Sequence, residues 1–243
     1  MPILPQSLLA SLRQLPARCH AALLPGSCLL CGGDSGPEPL CPPCQADLPA
    51  MPAACCPRCA DASALGEPCG ACLQEMPHFE RVVARWRYDF PLDRLVQAVK
   101  YGHQTAAARW FGEQLADCLP AEGQWVVPMP LHPERLRQRG FNQSMEIARR
   151  LARRLHLPLL PQALQRQRAT PPQAGLDHRQ RRRNVRGAFV CAADLEGRAI
   201  LLVDDVMTTG ATADECARVL RLHGAGPVTV AVAARALKGG SVF

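Results

Sequence analysis

The chain has 243 residues, enough for one ordinary domain together with a small additional one. Hydrophobic residues make up 48% and charged residues 20%, a balance typical of globular proteins, and no apolar run approaches the roughly 20 residues of a membrane span. The net charge of +7 is uneven: the segment from Leu131 to Gly187 carries +11 from 14 arginines and three acids, which favours a polyanionic partner, either a nucleic acid or a phosphorylated small molecule.

The first 24 residues form a leader. Four leucines, Leu8, Leu9, Leu12 and Leu15, recur at helical spacing, which predicts a helix packed on the rest of the protein, with contact to a membrane surface as the alternative. The leader lacks a basic segment and a cleavage site, so we expect no export signal and a cytoplasmic location.

Residues 25–75 are rich in cysteine, proline and glycine and cannot build a conventional core. They contain four Cys-x-x-Cys pairs: Cys28 and Cys31, Cys41 and Cys44, Cys56 and Cys59, Cys69 and Cys72. In a reducing compartment this spacing predicts two structural zinc sites of four thiolates each, which leave no open position for catalysis. We expect the pairs to combine in sequential order. The two other combinations, a substitution of Cys55 for Cys56, and redox-active dithiols are the alternatives.

Residues 76–243 alternate between apolar strands and helices. We predict strands at 82–88, 125–128, 188–191, 199–203 and 228–234, and helices at 92–101, 106–118, 142–155 and 212–223, with loops at 129–140 and 166–187. This order indicates an α/β fold with an open, mainly parallel sheet and helices on both faces. The chain thus divides into three predicted parts: residues 1–24, 25–75 and 76–243.

The most informative motif lies in residues 200–212. A buried strand leads into Asp204 and Asp205, and a turn with hydroxyl side chains and Gly210 then opens a helix. In an open parallel sheet, ligands bind beyond the carboxyl ends of the strands, and a helix start offers backbone N–H groups to an anion. A ribose 5-phosphate satisfies both features, with its phosphate in the turn and its hydroxyls on the acids. A receiver-domain strand end or a nucleotidase-like acid pair would share only part of this pattern.

This motif resembles the thirteen-residue signature of the type I phosphoribosyltransferases, position by position. The resemblance implies that Asp204 and Asp205 are catalytic residues that hold the ribose hydroxyls of phosphoribosyl pyrophosphate, which is bound with magnesium. It assigns the 5-phosphate to five residues: Thr208, Thr209, Gly210, Ala211 and Thr212. It further implies a pyrophosphate site and a flexible closing loop, whose candidate residues are Arg135, Arg139, Arg168 and Arg179; a solvated arginine loop is the alternative.

Further residues narrow the resemblance to the ComF family (competence protein F, also GntX-like). They are the cysteine pairs, the Lys-Tyr-Gly segment at 100–102, the Arg-Gly-Phe-Asn-Gln segment ending at Gln143, and a pattern of Arg168, Thr170, Gln173, Leu176, Asn184, Gly187 and Phe189. The resemblance implies a cytoplasmic role in DNA uptake during natural transformation, with competence proteins and single-stranded DNA as partners. Two alternatives stay open: a phosphoribosyltransferase that acts on an unknown nitrogen acceptor, and a non-catalytic sensor of phosphoribosyl pyrophosphate or single-stranded DNA-binding module. Whether the protein is an enzyme is therefore undecided at this point.

Overall fold

A computed structural model of the chain describes residues 26–102, 104–120, 124–168 and 178–237. The predicted leader, residues 1–24, lies outside the described residues, as do Thr170, Gln173, Leu176 and the side chain of Arg179. The chain divides into two compact units, of which one ends at Asp47 and the other begins at Leu48. The predicted domain boundaries at residues 24 and 75 stay a prediction.

The small unit is built around cysteines. Strands β1 (Gly26–Ser27) and β2 (Asp34–Gly36) pair antiparallel, and helix α1 (Pro42–Ala46) follows. A tight turn after Cys28 is closed by the Gly32 N–H, which donates to the Cys28 carbonyl at 2.9 Å, and Gly32 has the positive φ of 76° that this turn requires. Cys28 and Cys41 are buried beside Leu40, so thiols replace much of the apolar core that so short a segment lacks.

The larger unit contains the remaining elements. Its helices are α2 (Gly70–Gln74), α3 (Leu92–Tyr101), α4 (Thr105–Ala116), α5 (Pro133–Arg139), α6 (Gln143–Leu155), α7 (His178–Val185) and α8 (Ala211–Leu222). Its strands are β3 (Arg81–Arg87), β4 (Gln124–Pro128), β5 (Leu164–Arg166), β6 (Phe189–Cys191), β7 (Ala199–Met207) and β8 (Val228–Arg235). Among the described residues, no helix is long and apolar enough to cross a bilayer.

Four parallel strands form the main sheet in the order β3-β8-β7-β4. Every residue of β8 is buried, and alternate residues of β7 and β8 share an apolar core with α8. The intervening residues, such as Leu201 and Ala231, are equally buried, so both faces of the sheet are covered. This confirms the predicted open parallel sheet with helices on both faces.

The structure corrects three local predictions. The strand predicted at 199–203 continues to Met207, so the acid pair Asp204 and Asp205 lies within β7. The predicted strand at 188–191 does not join the parallel sheet, because β6 pairs antiparallel with β5. The predicted loops at 129–140 and 166–187 contain the short helices α5 and α7.

Helix α5 escaped prediction because it has a single apolar residue, Leu136, and hence no periodic pattern. Its ends nevertheless carry recognisable signals: Pro133 stands in the first turn and Gly140 ends the helix with a φ of 74°. These signals, rather than apolar periodicity, could have located it.

Candidate functional site

A cleft of about 230 Å³ opens at the carboxyl end of β7. The acid pair lines it, together with all five predicted residues of the turn that opens α8, which we call the Thr-Gly loop (residues 208–212). Side chains from α3, α5, α6 and β5 complete the wall: Lys100, Arg135, Arg139, Gln143, Ser144 and Arg166. The structure thus brings the predicted carboxylates, the predicted anion-binding turn and two of the predicted arginines into one cavity.

Asp205 is held by a lysine that comes from the end of α3. The Lys100 Nζ lies 2.9 Å from Asp205 Oδ2, and the Asp205 residue is only 4% exposed. Burial raises the pKa of Asp205, but the nearby ammonium outweighs it and lowers the pKa below the usual range. Burial also opposes the charge on Lys100, whose pKa is nevertheless raised by Asp205. The two groups therefore form an ion pair in which Asp205 stays ionised.

Asp204 has a different environment, although it is the adjacent residue. The Ser144 hydroxyl donates to Asp204 Oδ1 at 2.7 Å, and the Asp205 backbone N–H donates to the same oxygen at 2.9 Å. Burial and the negative charge of Asp205 together raise the pKa of Asp204 to about 7, against the hydrogen bonds that favour its carboxylate. Near neutral pH the cleft therefore holds one ionised carboxylate, Asp205, and one carboxyl group, Asp204, that is about half protonated.

The Thr-Gly loop turns sharply into α8. Gly210 caps this helix with a φ of 81°, a backbone conformation that favours glycine. A Cβ at this position would lie 2.5 Å from the Met207 Cε atom, so the end of that side chain would have to shift. Helix α8 has 12 residues, and its first three residues line the cleft together with Thr209. The helix dipole and the backbone N–H groups at the start of α8 make this a place for an anion.

Three arginines line the same cleft: Arg135, Arg139 and Arg166. Arg139 donates to Gln143 Oε1 at 3.3 Å and its guanidinium lies 5.3 Å from the centre of the Tyr101 ring. Arg166, which sequence reasoning did not select, lines the cleft as well and lies 5.4 Å from the Phe189 ring centre. Burial and the charge of Arg135 lower the pKa of Arg166, as expected where several cations share one wall.

The structure separates Arg168 from the cleft. Its guanidinium donates to the carbonyls of Asn184 at 3.2 Å and Arg186 at 2.7 Å, and Arg168 is not among the described residues that line the cavity. In this conformation Arg168 links the residues that follow β5 to the end of α7 and the residues before β6. The side chain of Arg179 lies outside the described residues.

Sequence reasoning also assigned no role to Lys100 and Ser144. Both reach the acid pair from helices that are distant in the sequence, so no local pattern marks their contacts. One signal was available for Lys100: it is one of only two lysines in the chain, and it directly follows the buried Val99 of an amphipathic helix. A charge in that position calls for a partner.

The cysteine pairs combine in the predicted sequential order. In each set the four sulfurs lie within 4.8 Å of one another: Cys28, Cys31, Cys41 and Cys44 form the first cluster, and Cys56, Cys59, Cys69 and Cys72 form the second. The Sγ atoms of Cys31 and Cys41 are 3.7 Å apart, and those of Cys59 and Cys69 are 3.6 Å apart. A zinc ion with bonds of about 2.3 Å to sulfur needs edges of about 3.8 Å, so both clusters could bind zinc.

In each cluster, backbone N–H donors stabilise the thiolate form of one cysteine. Burial raises the pKa of Cys28, but N–H groups of Cys31, Cys41 and Leu30 outweigh it and lower the pKa to about 6. The same balance, with donors from Cys59, Cys69 and Arg58, lowers the pKa of Cys56 to about 7. Cys55 stands apart from the second cluster, and its thiol donates to the Pro52 carbonyl.

Similar proteins were found among characterised sequences and among solved structures. No family model matches the chain. It is 36% identical over 191 residues to the DNA utilization protein YhgH of Escherichia coli K12, covering 72% of this chain and 81% of that protein. It is 30% identical over 227 residues to competence protein F of Haemophilus influenzae, covering 86% and 96% respectively. Among solved structures, adenine phosphoribosyltransferase of Thermoanaerobacter pseudethanolicus is 17% identical, with a TM-score of 0.35 over 57% of this chain and 72% of that one.

Proposed function

Since the chain belongs to the competence protein F family, we propose that it acts in DNA uptake and use and that its cleft binds phosphoribosyl pyrophosphate. We also propose that the protein is cytoplasmic. The cysteines of the described residues are free thiols rather than disulfides, which agrees with a reducing compartment.

One observation carries the ligand assignment: the acid pair and the Thr-Gly loop line the same cleft. The loop offers backbone N–H groups and three threonine hydroxyls to the 5-phosphate. The acid pair stands just before it on β7, where Asp204 and Asp205 can accept hydrogen bonds from the two ribose hydroxyls. Arg135 and Arg139, which line the same cleft, provide planar donors for the pyrophosphate.

The chain's own residues divide the work in this cleft. Lys100 keeps Asp205 ionised and fixes its orientation, so one acceptor is always present. The carboxylate oxygens of the acid pair are also the donor type that magnesium prefers, and a bound magnesium ion would neutralise charge on the pyrophosphate. Ser144 holds Asp204 in place for either role.

The direct test is calorimetric titration with phosphoribosyl pyrophosphate and magnesium. We expect the wild-type chain to bind, and Asp204→Asn and the double variant Asp204→Asn with Asp205→Asn to lose measurable binding. The matched control replaces two acids that lie outside the cleft, Asp93→Asn and Asp117→Asn, and should bind as the wild type does. Unchanged affinity in the double variant would refute the assignment. Binding that is lost there justifies a screen of nitrogen acceptors for release of pyrophosphate.

A second function, binding of single-stranded DNA, is favoured by a contact at the edge of the cleft. The Tyr101 ring is 68% exposed and lies under the guanidinium of Arg139, which belongs to the arginine-rich segment. The fold thus supplies that segment with an aromatic platform from a different part of the chain. A base stacked on such a ring contributes about 1–3 kcal/mol.

Anisotropy with a labelled oligonucleotide tests this second function. Tyr101→Ala should weaken binding at least about fivefold, whereas Phe90→Ala, which removes another exposed aromatic ring, should leave it unchanged. The affinity of the wild type should fall steeply as salt is raised. A flat salt response, or equal losses in both variants, would exclude the Tyr101 and Arg139 platform.

A further inference from the structure

A buried arginine at the end of β8 connects two parts of the larger unit. The Arg235 residue is 2% exposed, and β8 pairs it with Met207 on one side and Arg87 on the other. Burial of a guanidinium is unfavourable unless its N–H groups find acceptors. Its acceptors are therefore the informative part of this arrangement.

Arg235 binds the Thr-Gly loop with one end of its guanidinium. Nη1 donates to the Met207 carbonyl at 3.3 Å and also to the carbonyls of Thr208 and Ala236. The Met207 carbonyl accepts in addition from the Ala236 N–H at 2.9 Å. The backbone that leads from the acid pair into the loop is thus fixed by this side chain.

The other side of the guanidinium binds the second cysteine cluster. Nε donates to the carbonyl of Cys59 at 2.8 Å, across 176 positions of sequence, and Nη2 lies 3.9 Å from Asp61 Oδ2. Cys59 supplies one of the four sulfurs of the cluster. The turn that carries it is closed by the Cys56 N–H, which donates to the Asp61 carbonyl at 2.8 Å.

The geometry points to Arg235 as a positioning residue that couples the second cysteine cluster to the Thr-Gly loop. The Cys59 carbonyl and the Thr208 carbonyl accept from the same guanidinium. A metal ion held by the four sulfurs would fix the turn that carries Cys59, and through Arg235 it would fix the backbone at Thr208. Loss of the metal from this cluster therefore loosens the loop and weakens binding of phosphoribosyl pyrophosphate in the cleft. The part that concerns the ligand rests on the proposed function, whereas the coupling to the loop does not.

The test uses the full chain as wild type, Cys72→Ser, Arg235→Lys and the combination of the two. Cys72→Ser removes one thiolate of the second cluster and leaves the Cys59 carbonyl in place. Cys44→Ser is the matched control, since it removes the same kind of ligand from the first cluster, which lies in the other compact unit. Arg235→Lys keeps a cation but cannot reach both sets of carbonyls.

Three quantities are measured: zinc content, hydrogen exchange of the peptide over residues 204–212 without ligand, and calorimetric affinity for phosphoribosyl pyrophosphate with magnesium. Cys72→Ser and Arg235→Lys should each speed exchange in the loop and weaken affinity at least about tenfold, as expected when a buried hydrogen bond to a charged group is lost. Arg235→Lys should keep its zinc. The combined variant should bind phosphoribosyl pyrophosphate no more weakly than the single variant with the lower affinity. The reason is that both substitutions break the same link between the second cluster and the loop.

Unchanged loop exchange in Cys72→Ser, an equal effect of Cys44→Ser, or additive losses in the combined variant would each overturn the coupling. If Cys72→Ser does not fold, hydrogen exchange of the loop in zinc-loaded Arg235→Lys is the deciding measurement. Loop exchange at the wild-type rate in that variant would overturn the coupling. If the wild type does not bind phosphoribosyl pyrophosphate, the proposed function fails, and loop exchange alone still decides the coupling.

Discussion

Neutralising either of the two adjacent acids of the cleft should change the free energy of unfolding, and the two changes should have opposite signs. Asp204 has a folded-state pKa of about 7 against an ordinary value of 3.8, so its ionisation opposes folding. At pH 8 the penalty is about 4 kcal/mol, from 1.36 kcal/mol per pKa unit. Asp204→Asn removes the charge and keeps an Oδ1 acceptor for the Ser144 hydroxyl. We therefore expect this variant to be more stable than the wild type by up to about 4 kcal/mol at pH 8.

Asp205→Asn should destabilise the protein. It leaves the Lys100 ammonium without its partner at 2.9 Å, and breaking a buried ion pair costs about 3–5 kcal/mol. The Lys100 side chain retains 20% of its exposure, so a loss near the lower end, about 3 kcal/mol, is expected. Because the pKa of Asp205 is lowered in the folded state, its ionisation stabilises the fold at any pH above its unfolded-state pKa of 3.8. That stabilisation is lost only as the pH falls below 3.8, whereas the effect of Asp204 develops above that pH.

The assay is urea unfolding between pH 4 and pH 8 with zinc present. For Asp204 the folded state binds more protons than the unfolded state between the two pKa values, so wild-type stability falls as pH rises through this window. The advantage of Asp204→Asn should grow by about 1.4 kcal/mol per pH unit from pH 4 and level off above pH 7. A difference that does not depend on pH, or destabilisation by both variants, would refute the reasoning.

Two further predictions concern the Thr-Gly loop and the cysteine clusters. Gly210→Ala should lower the free energy of unfolding by about 1–3 kcal/mol and weaken binding of phosphoribosyl pyrophosphate, because the φ of Gly210 is 81° and a Cβ there would contact Met207. Gly70→Ala is the control, since a Cβ at Gly70 would meet open space. Equal urea midpoints of the two variants would contradict the strain argument. Removal of metal by a strong chelator should lower the melting temperature measured by circular dichroism, since both clusters replace an apolar core. Metal analysis that finds no zinc in the purified chain would disprove the second prediction.

The parts of the fold that could be predicted are those whose signal is local. The helix at 92–101 shows its buried face directly, with Leu92, Leu95, Val96 and Val99 on one side. Strand β8 is apolar except for Thr229 and Arg235, because both faces of the sheet are covered. The Cys-x-x-Cys pairs and the strand that leads into two acids are equally local, so the clusters and the centre of the cleft were accessible from the sequence.

The partners of these residues depend on tertiary structure and were not accessible. Ser144 and Lys100 come to the acid pair from separate helices, and Arg235 reaches Cys59 across 176 positions. The difference in pKa between Asp204 and Asp205 follows entirely from those contacts, since the two residues are chemically identical neighbours. Even the role of Arg168 depended on which carbonyls the folded chain brought near it.

The opposed acids also determine how ligand binding should depend on pH. Below its pKa of about 7, Asp204 is mostly protonated. A ligand that binds only the ionised form of Asp204, through its hydroxyls or its cation, therefore causes this proton to be released on binding. Affinity should therefore rise with pH up to about 7, by at most tenfold per unit, and then level off. Calorimetry at pH 6 in two buffers of different ionisation enthalpy measures the released proton directly. Release of protons at pH 6 and none at pH 8 would locate the ligand on Asp204, whereas no release at pH 6 would mean that the ligand binds the protonated acid and that Asp205 alone accepts from it.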